Sequence, residues 1–127
     1  MPVATKLFAT TIDCPDPRAL AAFYRGLTGW GVIYEDDECV ALVPEGKQDG
    51  GLNFQRVADY TAPKWPSQAA PQQFHLDFFA GPDLDAAQAE AVALGAVAPD
   101  EQPQADRWRV LLDPAGHPFC LCRSEAE

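Results

Sequence analysis

His75 and Asp77 stand two residues apart in Phe74-His75-Leu76-Asp77-Phe78-Phe79. A strand turns alternate side chains to opposite faces, so both polar residues share one face. An imidazole beside a carboxylate suits a general base or ligand anchor, with Asp77 orienting His75. Side chains at i and i+2 lie more than about 6 Å apart at Cβ, so a polar pair that does no chemistry is the competing reading. Cys120 and Cys122 alternate in the same way near the end of the chain. A reactive thiolate needs a neighbouring cation, which His75 can supply. An inert buried thiol is the commoner state of cysteine and weighs more here.

The elements that must position these residues come in two copies. Phe8-Ala9-Thr10-Thr11-Ile12-Asp13 and Phe74 to Phe79 read as equivalent strands. Each precedes a helical stretch that ends on glycine, at Gly29 and Gly95. Asp16 suits the N-cap of the first helix and Pro17 its first position; Asp83 suits the N-cap of the second. Leu20, Phe23, Tyr24 and Leu27 form the buried stripe of the first helix. Ala86, Ala89 and Ala93 would let the second pack close to its sheet. Strands are expected at Leu7 to Cys14, Gly31 to Tyr34, Cys39 to Val43 and Leu52 to Val57 in the first copy. In the second they are expected at Gln73 to Ala80, around Val97, at Trp108 to Leu112 and at Phe119 to Arg123. Asp113-Pro114-Ala115-Gly116 fits a type I turn. The order is β-α-β-β-β twice, about 5–57 and 73–124. A connector carrying Pro63, Pro66 and Pro71 joins the copies, and 1–127 is read as one domain.

Alternation splits each strand into two sets. Phe8, Thr10, Ile12, Cys14, Leu52, Phe54, Phe74, Leu76, Phe78, Ala80, Phe119 and Leu121 should lie under the helices. Ala9, Thr11, Asp13, Asn53, Gln55, His75, Asp77, Phe79, Cys120 and Cys122 should line the opposite, concave face. A half-polar concave surface suits a small ligand. Trp65 is either an aromatic wall over that surface or a cover for the core edge, and Tyr60 shares the ambiguity. Arg56 and Arg123 close equivalent strands and point to solvent, and His117 is expected to bond its turn.

With 127 residues and 47% hydrophobic content, the chain has the composition of a folded globule. Its formal net charge of -10 repels phosphate backbones and anionic lipid surfaces, so neither nucleic acid nor a membrane is the expected partner. There is no apolar run of membrane-spanning length and no signal-peptide core, which makes the cytoplasm the expected compartment. The cysteines at 14, 39, 120 and 122 form no Cys-x-x-Cys pair and are expected as free thiols.

Three stretches carry a family resemblance: Thr11-Ile12-Asp13-Cys14-Pro15-Asp16 through Gly29, His75-Leu76-Asp77-Phe78, and Asp113-Pro114-Ala115-Gly116-His117-Pro118-Phe119. Trp65-Pro66 adds to them. The chain resembles the vicinal oxygen chelate superfamily (glyoxalase I, bleomycin-resistance proteins and extradiol dioxygenases), closest to its bacterial glyoxalase-like branch. The resemblance implies an α+β fold of two tandem βαβββ units, a curled mixed sheet with an open cup, helices on the convex face, and a homodimer. In metal-using members the ligands come from the first and last strand of each unit. By register these positions are Ala9, Asn53, His75 and Cys120, where the family uses His or Glu. Only His75 matches that pattern, so no cofactor and no complete metal site are expected. The expected function is small-molecule binding in the cup, with His75 and Asp77 as catalytic candidates. Thr11, Asp13, Asn53, Gln55, Trp65, Phe79, Cys120 and Cys122 are the candidate ligand contacts. One alternative is a metal-dependent lyase, isomerase or dioxygenase holding a divalent ion through His75, Cys120 and Asn53. Another is a non-catalytic drug-sequestering or dimeric interaction protein.

Overall fold

The computed structural model describes residues 3, 4 and 6–125. They divide into two compact units, Met1–Thr61 and Ala62–Glu127. Unit 1 contains β1 (Ala9–Cys14), α1 (Pro17–Thr28), β2 (Gly31–Glu35), β3 (Cys39–Val43) and β4 (Gly51–Arg56). Unit 2 contains β5 (Leu76–Phe79), α2 (Leu84–Leu94), β6 (Trp108–Leu112) and β7 (Pro118–Cys122). Each unit forms its own sheet, ordered β1-β4-β3-β2 and β5-β7-β6. The parallel pairs β1/β4 and β5/β7 repeat one register: Thr11 lies against Asn53, and Asp77 against Cys120.

The helix ends follow from local chemistry. The Asp16 side chain accepts from the Ala19 amide and Asp83 from the Ala86 amide, each filling a donor the first turn leaves open. Pro17 opens α1, and Gly29 closes it in the left-handed region at φ 76°. Pro17, Leu20, Ala21, Phe23 and Tyr24 are the buried face of α1, which packs on β3 and β4. Tyr24 stacks on Phe54, with ring centroids 5.4 Å apart. In α2 the buried residues are Leu84 and Ala91, while Ala86, Ala89 and Ala93 are exposed. The alanines that repeat most visibly in the sequence are therefore not those that meet the sheet. Beneath the helices Ile12, Cys14, Leu52, Phe54, Phe119 and Leu121 are buried, as alternation requires. Phe8 and Phe74 are not: they precede β1 and β5 and are 60% and 68% exposed.

Gly51 at the head of β4 is fixed by a close approach. A Cβ there would sit 1.9 Å from the Leu42 carbonyl oxygen. In the turn after β6, the Gly116 amide donates to the Asp113 carbonyl. Asp113, buried, accepts from the Ala115 and His117 amides through its carboxylate. His117 thus serves the turn through its backbone.

The strand expected around Val97 is reduced to one bridge, Val97 to Leu112. The segment that follows contains Pro99 and Pro103, which have no N–H to give a ladder. Its other groups serve the outer edge of β6. Gln102 donates to the Val110 carbonyl and accepts from the Val110 amide, at 2.9 and 2.8 Å. The Gln104 carbonyl accepts from the Trp108 amide. No helix of the described residues is long and apolar enough to cross a membrane.

Candidate functional site

β5 and β7 bring together the second-half residues singled out by alternation. His75 falls just outside β5, which begins at Leu76 rather than at Gln73. Its neighbour across the register is Pro118, whose nitrogen carries no hydrogen to extend the ladder. Even so, His75 Nε2 lies 3.2 Å from Asp77 Oδ1. The i, i+2 spacing is bridged by the side chains leaning toward each other along the strand. Asp77 also faces Cys120 across the register, with a ligand atom of each within 4.8 Å of the other. Asp77 is therefore the hub of the cluster.

Burial, reinforced by the Asp77 carboxylate, pushes the Cys120 thiol up to about 12. The same two causes raise Cys122. Both thiols stay protonated at neutral pH, so neither is an activated nucleophile. These two cysteines, with His75, Asp77 and Trp65, line a cavity of about 330 Å³ within unit 2. Gln72, Pro103, Trp108, Val110 and Pro118 complete its wall. Trp108 and Val110 pair with Cys122 and Cys120 across β6 and β7. That register signal in the sequence identifies them as sharing the cysteines' face. Gln72 and Pro103 carry no such signal, since both lie outside the strands.

Phe79 lies outside the cavity wall and is 84% exposed, at the solvent end of β5. In unit 1, Thr11, Asp13 and Gln55 are exposed and Asn53 half-buried, on the sheet face opposite α1. The Asn53 amide is engaged within that unit: its Oδ1 accepts from Cys39 Sγ at 2.6 Å, and its Nδ2 donates to Thr11 Oγ1 at 3.4 Å. Arg56 meets Glu38 at 3.3 Å with its side chain half exposed, and Arg123 is exposed just past β7.

The metal question turns on the donor atoms of unit 2. One ligand atom each from His75, Asp77 and Cys120 lie within 4.8 Å of one another. Imidazole, carboxylate and thiolate are all zinc donors, and three protein ligands match an open zinc site. The set fits one ion if Cys120 gives up its proton on binding. Asp77, absent from the ligand set anticipated in the sequence, is what raises the count to three.

A family model for the glyoxalase-like domain matches residues 9–122. Solved structures share the fold at low identity. A glyoxalase/bleomycin resistance protein/dioxygenase family enzyme from Burkholderia phytofirmans PsJN is 21% identical, with a TM-score of 0.65, covering 94% of this chain and 98% of its own. The bleomycin resistance determinant encoded on transposon Tn5 is 19% identical, with a TM-score of 0.59 and coverage of 95% and 99%. The trypanothione-dependent glyoxalase I of Leishmania major is 17% identical, with a TM-score of 0.64 and coverage of 94% and 87%. No protein of curated function matches the chain.

Proposed function

From the premise that this chain belongs to the glyoxalase-like domain family, we propose that it binds a small organic molecule in the unit 2 cavity without a metal ion. The observation that supports this is the cavity itself: apolar walls from Trp65, Trp108 and Val110, and one polar patch at His75, Asp77 and Cys120. Its volume of about 330 Å³ is at the lower end for ligand pockets, which favours a small compound. The imidazole of His75, oriented by Asp77, supplies an acceptor or a base to the bound molecule. Two protonated thiols beside it add weak donors rather than nucleophiles. The test is a metabolite panel screened by thermal shift and equilibrium dialysis, with His75→Ala and Asp77→Ala as variants. Binding that survives both substitutions unchanged sinks the reading. A homodimer in the cytoplasm is part of the same proposal, and a monomer by sedimentation at micromolar concentration removes that part.

The three converging donors favour a second reading, a metal-dependent lyase, isomerase or dioxygenase. In it His75, Asp77 and Cys120 hold a divalent ion, which supplies Lewis acidity. Elemental analysis of the purified protein decides between the two. Stoichiometric metal that is lost in both His75→Ala and Asp77→Ala establishes the second reading. Substoichiometric metal in the wild type leaves the first.

A further inference from the structure

We infer that the unit 2 cavity selects a ligand carrying a cationic, N–H-donating head group, and rejects the anionic counterpart of the same shape. The inference rests on the metal-free reading above and adds the ligand's charge. No lysine or arginine is among the residues that line the cavity. Apart from the two thiols, its ionisable groups are His75 and Asp77, 3.2 Å apart. A protonated His75 at most cancels Asp77; a neutral one leaves a full negative charge. An anion entering here loses its hydration and gains no counter-charge. A cation meets the Asp77 carboxylate in a wall that also contains Trp65 and Trp108, and both carboxylates and indole rings attract positive charge.

Gln72 strengthens the preference for a donor. Its Oε1 is buried and has no hydrogen-bond partner among the described residues. Gln72 lines the same cavity, and rotation of its side chain would present that oxygen to a ligand N–H.

Three isosteric probes differ only in the head group: naphthalene-2-carboxamidine, naphthalene-2-carboxamide and 2-naphthoate. Their affinities are measured with a chelator present, following backbone amide resonances in unit 2. The amidine is expected to bind roughly 10-fold tighter than the amide, the size of one charge-assisted contact, and naphthoate weakest. Asp77→Asn should bring the amidine to within about twofold of the amide, while Gln72→Leu weakens amidine and amide together. Glu90→Gln removes the same charge from the exposed face of α2 and should leave the order intact. Naphthoate binding as tightly as the amidine, or an order that Asp77→Asn does not change, overturns the charge selection. Equal binding of all three that shifts the β5–β7 resonances leaves the cavity standing and removes only its charge preference. If none of the three shifts those resonances, the charge selection is overturned, and the binding reading is left to the metabolite panel.

Discussion

Thr11 and Asn53 hold in unit 1 the positions that Asp77 and Cys120 hold in unit 2, on the same parallel strand pair in the same register. In unit 1 those positions close on themselves. Cys39, Asn53 and Thr11 form a chain of neutral hydrogen bonds. In unit 2 the same backbone carries a carboxylate between an imidazole and a thiol, at the edge of a cavity. One scaffold can therefore close a strand pair on itself or open it onto a cavity. The choice lies in two side chains and not in the fold.

The helices differ in the same sense. α1 buries five residues and α2 two. The largest predicted effect follows: Tyr24→Ala should cost about 3–5 kcal/mol in urea denaturation, because a fully buried ring stacked on Phe54 is lost. Val92→Ala on the exposed face of α2 should cost less than about 1 kcal/mol. Similar costs would break the contrast between the helices.

Chemical modification sharpens the contrast between the strand pairs. At pH 8 Cys120 in the folded protein should react with iodoacetamide roughly 1,000-fold more slowly than in the unfolded chain, because so little of it is thiolate. Asp77→Asn should speed that reaction, since one cause of the raised value is gone. The linked effect on stability has a definite sign. The folded protein holds the Cys120 proton more tightly than the unfolded chain. Its contribution is whole below about pH 8.5, the ordinary cysteine value, and is lost as pH rises toward about 12. Denaturation midpoints should fall across that window, and the fall should be shallower in Cys120→Ala.

A smaller effect is expected from Asn53→Leu. It removes the neutral hydrogen bonds of unit 1 for about 1 kcal/mol and should leave amidine binding unchanged. Loss of binding in that variant would show that the two strand pairs are not independent. The smallest belongs to Arg18, which pairs with Glu35 at 2.6 Å and also with Asp37. All three side chains are exposed, so Arg18→Gln should cost under about 1 kcal/mol, and less in high salt.

Features set by local chemistry are legible in the sequence. Asp16, Asp83, Gly29 and Gly95 mark the helix ends because capping depends on a few adjacent residues. The shared register followed from the offset between the copies. Other features depend on how side chains lean or on groups far along the chain. Alternation put His75 and Asp77 on one face but could not bring their atoms together. It placed Phe79 with them, although β5 ends there in solvent. The third donor of the cluster was hidden because its contact crosses from β5 to β7. The strand expected around Val97 failed because two prolines follow it, a signal present in the sequence but outweighed by the repeat.

That failure has a consequence for how the molecule meets its own copies. Where unit 1 continues its sheet into β2, unit 2 stops at β6. A bare strand edge is a template onto which any extended chain can add, the first step toward aggregates. Here the amide of Gln102 occupies Val110 on both its donor and acceptor sides, and Val97 and Gln104 take the positions either side. An incoming strand would find those hydrogen bonds already made. A loop with too much proline to be a strand thus acts as the sheet's end-stop.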